Sequence, residues 1–203
     1  MNLFDKFQRG LPYNDFLARY ATEDQKKRWR QVHEQIKLTA SQRELLTSFR
    51  REMNVLCLAG AWCGDCINQC PAFDHFAAAA PPHPSPYPPG GEGGVRGPVI
   101  HLRFLDRDDH ADVQRELQIN GGNRVPVVAF FSEDGLEVAR YGERTLSKYR
   151  QLMRDYAGPS CPTGLVTPGD TLLSQVTQEW LNEFERVQWI LRLSPRLRQI
   201  HGD

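Results

Sequence analysis

The sequence predicts an α/β protein, because strand-like and helix-like segments alternate along the middle of the chain. The order read from hydrophobic patterning is strand, helix, strand, helix, hairpin, helix. With 203 residues and 40% hydrophobic composition, the chain is long enough for one core and a small appendage. The 25 basic and 25 acidic residues cancel, so net charge gives no argument for nucleic acid or a membrane surface as a partner.

Four segments carry the pattern of strands. Residues 54–60 form a short apolar run typical of a strand buried on both faces, and residues 99–105 predict a second strand. Residues 125–131 and 137–141 predict two more. The Asp-Gly pair in the turn between them, residues 132–135, indicates a hairpin.

Helices are predicted between the strands and at both ends of the chain. Residues 13–49 are rich in helix formers and carry capping-box patterns at residues 22–25 and 41–44, which predicts two or three helices. Shorter helices are predicted at residues 111–119 and 145–156, the latter ending at Gly158-Pro159.

A long amphipathic helix is predicted over residues 168–193, ending before Pro195. Its apolar residues recur at steps of three and four: Leu173, Val176, Trp180, Phe184, Val187 and Leu191. We expect this stripe to pack on the chain's own core rather than on a second copy.

The chain is divided accordingly into three parts. Residues 1–50 form a helical N-terminal extension, residues 51–157 the α/β domain, and residues 158–203 a helical C-terminal extension. Residues 81–98 hold seven of the fourteen prolines and five of the sixteen glycines, so we expect a flexible insertion within the α/β domain.

Chemistry is concentrated in a cysteine cluster that follows the first strand. Cys63 lies where a helix is expected to begin, and unpaired N–H groups and the helix dipole there favour a thiolate. Cys66 lies three residues later on the same face, so its sulfur can attack a mixed disulfide formed at Cys63 and release the bound thiol. We expect Trp62 to shield the pair and Gly64 to allow another chain to approach closely.

A metal site is the alternative interpretation of the cluster. Cys63, Cys66 and Cys70, followed by proline, match part of a ferredoxin run, but one cysteine is missing. The fourth ligand would have to come from His75, Cys161 or another chain, so we favour the dithiol and predict neither metal nor cofactor.

The remaining candidates are expected to be structural. Cys57 and Cys70 are predicted to be buried and unreactive, as free cysteines commonly are. His75 is expected to lie half-buried on its helix. In the acidic run 106–110, Asp108 or Asp109 is expected to cap the following helix.

Several of these motifs together resemble the thioredoxin fold over residues 50–157. They are the first strand, Trp62-Cys63-Gly64-Asp65-Cys66, Pro71 within the following helix, and Val125-Pro126 before a strand. Residues 106–108 and 120–126 make the chain similar to a bacterial thioredoxin-like group with a helical N-terminal extension. The resemblance implies a central mixed sheet flanked by helices and a cis Val125–Pro126 bond facing the dithiol.

Two positions depart from the thioredoxin pattern. Cys57 stands where thioredoxins usually place a buried acid that helps to move protons. Asp65 stands where they usually have proline, and an ionised carboxylate there opposes a neighbouring thiolate. Because strong oxidants stabilise their reduced thiolate, we predict a reducing or isomerase-like couple below about −200 mV.

The resemblance implies a thiol–disulfide oxidoreductase that acts on a disulfide-containing protein or small thiol. A reductase would supply its electrons. The N-terminus has no continuous apolar stretch of secretory type and no segment could span a bilayer, so we expect a cytoplasmic location. The alternative is a binding or scaffold module that uses the groove, the insertion or the C-terminal helix.

Overall fold

A mixed sheet of four strands forms the centre of the protein. The computed structural model describes residues 1–80, 98–157 and 171–201. The strands are β1 (Met53–Ala59), β2 (Ile100–Asp106), β3 (Val127–Phe131) and β4 (Glu137–Gly142), in the spatial order β2-β1-β3-β4. β1 pairs with β2 in parallel and with β3 in antiparallel register, and β3 and β4 form the antiparallel hairpin. The predicted α/β class with a mixed sheet is confirmed.

Helices flank the sheet, and further helices lie in the N-terminal and C-terminal parts of the chain. Within the described ranges they are α1 (Leu3–Gln8), α2 (Tyr13–Tyr20), α3 (Glu23–Gln35), α4 (Ala40–Thr47), α5 (Gly64–Ala79), α6 (Ala111–Glu116), α7 (Leu146–Ala157), α8 (Leu172–Leu193) and α9 (Pro195–His201). None of the helices in these ranges is long and apolar enough to cross a bilayer. The expected flexibility of the insertion, the end of α7 at Gly158-Pro159 and Cys161 lie outside the described residues.

The helix starts in the N-terminal part follow local capping chemistry. Thr22 and Gln25 form the predicted capping box of α3. The box predicted at Ser41 is wrong, because Thr39 caps α4 instead and pairs reciprocally with Gln42. Thr39 has the extended backbone that a cap needs, whereas Ser41 already lies inside the helix.

Two further boundaries, and two whole helices, differ from the sequence pattern. The helix predicted over residues 111–119 ends at Glu116, and Ile119 instead makes a bridge with Gly122. The third strand begins at Val127 rather than Val125, because Pro126 has no N–H to give to the sheet. Helices α1 and α9 were not predicted at all.

The core lies on both faces of β1, whose seven residues are all buried. On one face, the stripe of α8 packs against α5 and the sheet. The ring of Trp180 meets Phe73 edge-on at 4.5 Å, and the ring of Phe184 meets those of Phe76 and Phe130 at 5.2 Å. The apolar face of the C-terminal helix is therefore covered by the chain's own core.

Candidate functional site: the Cys63–Cys66 dithiol

The dithiol lies where β1 ends and α5 begins. Cys63 is the N-cap of α5, and its carbonyl accepts the N–H of Ile67 at 3.0 Å. Its own N–H donates to Gly60 at 3.0 Å, which closes the turn after the strand. The indole of the fully buried Trp29, in α3, donates to the carbonyl of Ala61 at 2.8 Å. A helix of the N-terminal extension thus holds the loop that carries the nucleophile candidate.

The two sulfurs differ in their access to solvent. Cys63 is partly exposed, whereas Cys66 is fully buried. The Cys63 thiol donates to the carbonyl of Val125 at 3.6 Å, and the Cys66 sulfur accepts the N–H of Gly60 at 3.5 Å. A bulky disulfide can therefore meet Cys63 first, and Cys66 can act only from behind it.

The thiols of this pair influence each other's ionisation. The thiol hydrogen bond with Cys66, followed by burial, raises the pKa of Cys63, while backbone N–H groups of Cys66 and Asp65 lower it. Burial raises the pKa of Cys66, but hydrogen bonds from the thiols of Cys63 and Cys70 and from Gly60 outweigh it and lower this pKa. Two thiolates in contact repel, so the pair gives up its first proton readily and holds the second.

The Val125–Pro126 peptide bond is cis and lies beside Cys63. Pro126 leads into β3, and Gly142 pairs with Val127 at the end of β4. Gly142 has φ +153°, and a Cβ there would lie 2.4 Å from the carbonyl oxygen of Pro126. The proline loop is therefore packed tightly on the β4 backbone and is fixed in front of the dithiol.

Trp62 covers the strand end beside the pair. Its ring lies over Gly60, and a Cβ at that position would come within 2.9 Å of a ring atom. The guanidinium of Arg107 lies over the same ring, 4.5 Å from its centre. Its indole N–H donates to Asp108 at 3.1 Å. The side chain is 46% exposed, so the ring also presents a surface to a partner. Gly64, two residues further along the chain, faces open space.

The expected cap of α6 by Asp108 or Asp109 is wrong. The N-cap is His110, and it has no side-chain hydrogen bond to the helix. Asp108 binds Trp62, and Asp109 accepts the hydroxyl of Tyr20 at 2.9 Å. The carboxylate of Asp106 stabilises the turn instead, because it accepts hydrogen bonds from the N–H groups of Asp108 and Asp109.

Asp65 is paired with a residue that the sequence did not point to. Arg144, after β4, donates to its carboxylate at 2.8 Å. The pairing partly neutralises the charge, yet Asp65 still acts to raise the pKa of Cys66. The effect of Asp65 on Cys66 is smaller than those of burial and of the hydrogen bonds from Cys63, Cys70 and Gly60, which together leave the pKa of Cys66 lowered.

Gln69 is a second residue that sequence reasoning missed. It is 2% exposed, its amide N–H donates to the carbonyl of Glu143 at 2.8 Å, and its oxygen accepts the indole N–H of Trp180 at 2.7 Å. This one side chain ties α5 to α8 and to the loop of Arg144. In the sequence, only its position as a polar residue on an otherwise apolar helix face could have indicated that Gln69 has buried partners.

The residues considered as metal ligands serve other contacts. The His75 ring donates to the carbonyl of His33 at 2.9 Å and stacks on the His33 ring at 4.1 Å, half-buried as expected. Cys57 and Cys70 are fully buried. Among the described residues, no three or more His, Cys, Asp or Glu side chains are placed to hold a metal ion.

An α/β fold with a Cys-x-x-Cys pair at a helix N-terminus facing a cis-proline defines a protein of thioredoxin type. A family model described as Thioredoxin matches residues 10–83 and 96–156, more than half of the chain, so the protein belongs to this thioredoxin family. No curated protein matches the sequence.

Two solved structures share the fold at low identity. One is the crystal structure of a protein of unknown function from Pseudomonas aeruginosa, with 17% identity, a TM-score of 0.62, and coverage of 89% of this chain and 95% of that one. The other is an HIV epitope scaffold, with 15% identity, a TM-score of 0.62, and coverage of 92% and 99%. These likenesses concern the fold alone.

Proposed function

We propose that the protein is a thiol–disulfide oxidoreductase whose working pair is Cys63 and Cys66. The observation that carries the proposal is the placement of a partly exposed sulfur at a helix N-terminus directly in front of a buried one. An exposed thiol alone would form mixed disulfides and stop. A second sulfur within reach completes the exchange.

The reaction proceeds in two displacements. Because the pKa of Cys66 is lowered and that of Cys63 is raised, Cys63 becomes the attacking thiolate by passing its proton to the Cys66 sulfur. It attacks one sulfur of the substrate disulfide, and the other substrate sulfur leaves as a thiolate that takes up a proton. The Cys66 sulfur then attacks Cys63, forming the Cys63–Cys66 disulfide and releasing the second substrate thiol. The substrate gains two electrons and two protons, and a reductase must return the protein to its dithiol form.

The substrate is a disulfide-containing protein or a small disulfide, held by the surface around Cys63. Trp62, Gly64 and Asp65 form one side of this surface, and Val125-Pro126 the other, where the backbone can pair with an extended chain. Asp65 also lines a cavity of about 240 Å³ between α3, α5, α7 and α8, together with Lys148 and Leu172. We propose that it receives a side chain of the substrate.

We propose that the couple runs in the reducing direction. Burial and Asp65 act to raise the pKa of Cys66, but hydrogen bonds from Cys63, Cys70 and Gly60 outweigh them and lower it. Strong oxidants depend on surroundings that stabilise the thiolate of the attacking cysteine. The pKa of Cys63 is instead raised, by its hydrogen bond with Cys66 and by burial, which favours a reducing couple.

Replacing Cys66 by serine is expected to trap substrate on Cys63, because the mixed disulfide forms but nothing resolves it. The variant, expressed in the native cells, would be isolated under acid quench and displayed by non-reducing electrophoresis. Covalent adducts released by dithiothreitol are expected.

The matched control is Cys63→Ser, which keeps Cys66 but removes the exposed sulfur and should yield no adducts. If Cys66→Ser gives no more adducts than this control, the proposed function is wrong and a binding module is the better account.

A further inference from the structure

Behind the proposed working pair, the sulfurs continue into the core. Cys66 makes thiol contacts with both Cys63 and Cys70, and the sulfur of Cys70 lies 3.8 Å from that of Cys57. Cys57, Cys66 and Cys70 are all fully buried. Four sulfurs therefore form a series from the surface to the middle of β1, in the order Cys63, Cys66, Cys70, Cys57.

We propose that Cys57 and Cys70 form a second, internal redox pair that exchanges with the Cys63–Cys66 disulfide. This inference rests on the proposed function, because the internal pair receives its oxidising equivalents only from the outer one. It differs from the expectation that both cysteines are unreactive, which stays a prediction until it is tested.

The exchange needs no reagent beyond the substrate disulfide that oxidises the outer pair. The Cys70 sulfur attacks Cys66, the Cys63–Cys66 bond breaks, and Cys63 leaves as a thiolate that takes up the proton lost by Cys70. The Cys57 sulfur then attacks Cys70, the Cys66–Cys70 bond breaks, and Cys66 recovers a proton from Cys57. One disulfide and two thiols are present before and after, so electrons and protons balance.

Burial decides the route by which the internal pair can react. No disulfide from solution can reach Cys57 or Cys70, since both side chains have no exposed surface. Cys66 contacts Cys70 and lies behind the exposed Cys63. Exchange through Cys66 is therefore the route that the described structure offers.

The geometry also allows the internal bond to close. The Cys57 and Cys70 sulfurs are in contact, and a disulfide of about 2.05 Å requires them to approach by roughly 1.8 Å. Pro71 follows Cys70 inside α5 and has no N–H to bond the preceding turn, which leaves this part of the helix with one hydrogen bond fewer. The turn that carries Cys66 and Cys70 can thus adjust more easily than a regular one.

A protein built this way stores four electrons instead of two. The fully reduced form would reduce two substrate disulfides before it needs its reductase. Because burial raises the pKa of the Cys57 and Cys70 thiols, both hold their protons, and we expect the second transfer to be at least tenfold slower than the first.

The test is the number of thiols lost when the reduced full-length protein is oxidised by oxidised glutathione. Thiols are alkylated at intervals, and each cysteine is read by tandem mass spectrometry, with Cys161→Ser measured in parallel to remove the fifth thiol from the count. We expect two thiols to be lost quickly and two more slowly, the latter as a Cys57–Cys70 disulfide.

Two variants test the order of events. In Cys57→Ala, oxidation should stop after two thiols, and in Cys66→Ser the internal pair should remain reduced for the time that suffices in the wild type. Loss of only Cys63 and Cys66 in the wild type would overturn the inference and leave the proposed function standing. If Cys63 and Cys66 also stay reduced, both fail.

Discussion

Replacing Cys63 by serine is expected to lower the rate of disulfide reduction by at least about 1,000-fold. The serine hydroxyl is not ionised near neutral pH, so the first displacement loses its nucleophile, and the other described cysteines are all buried. The measurement is the rate of insulin disulfide reduction with dithiothreitol as the electron source, corrected for the reaction without protein.

Cys66→Ser serves as the comparison. The reduced variant, mixed with insulin in the absence of dithiothreitol, should release one equivalent of substrate thiol per protein and then stop, whereas Cys63→Ser should release none. Retention of more than about a tenth of the wild-type rate by Cys63→Ser would place the nucleophile elsewhere.

Replacing Trp180 by alanine is expected to lower the free energy of unfolding by about 3–5 kcal/mol. The side chain has no exposed surface, meets Phe73 at 4.5 Å and Tyr141 at 4.9 Å, and satisfies the buried oxygen of Gln69. The variant leaves a cavity and an unpaired amide oxygen next to the helix that carries the dithiol. Equilibrium unfolding in urea measures the loss.

Trp189 on the same helix provides the matched control. It is 37% exposed, and its indole donates to Glu185 one turn away. Trp189→Ala should cost less than about 1 kcal/mol. Equal losses from the two substitutions would show that α8 is not part of the core on which the site is built.

The sheet and the position of the dithiol follow from short-range patterns. β1 is recognisable because all its residues but Asn54 are apolar, which is typical of a strand covered on both faces. The N-terminal position of Cys63 in α5 follows from the strand that ends just before it. The N-cap of α4 could not be predicted in the same way, because both Thr39 and Ser41 carry a hydroxyl that can cap a helix. The extended backbone of Thr39 makes it the cap.

The environment of the dithiol depends on residues far away in sequence. Arg144 reaches Asp65 across 79 positions, and Trp29 reaches Ala61 from a helix outside the α/β unit. No local pattern marks these pairs, because they arise only when the sheet brings separate loops together. The contact between Cys57 and Cys70 is of the same kind, since one lies on a strand and the other on the helix packed against it.

A redox titration of the purified protein, read cysteine by cysteine after alkylation, shows whether Cys63 and Cys66 work as a redox pair. We expect Cys63 and Cys66 to become oxidised together and reversibly, with a midpoint below about −200 mV. A midpoint near −120 mV would contradict the reducing direction. If Cys63 and Cys66 form no disulfide with each other at any potential, the proposed oxidoreductase function is wrong.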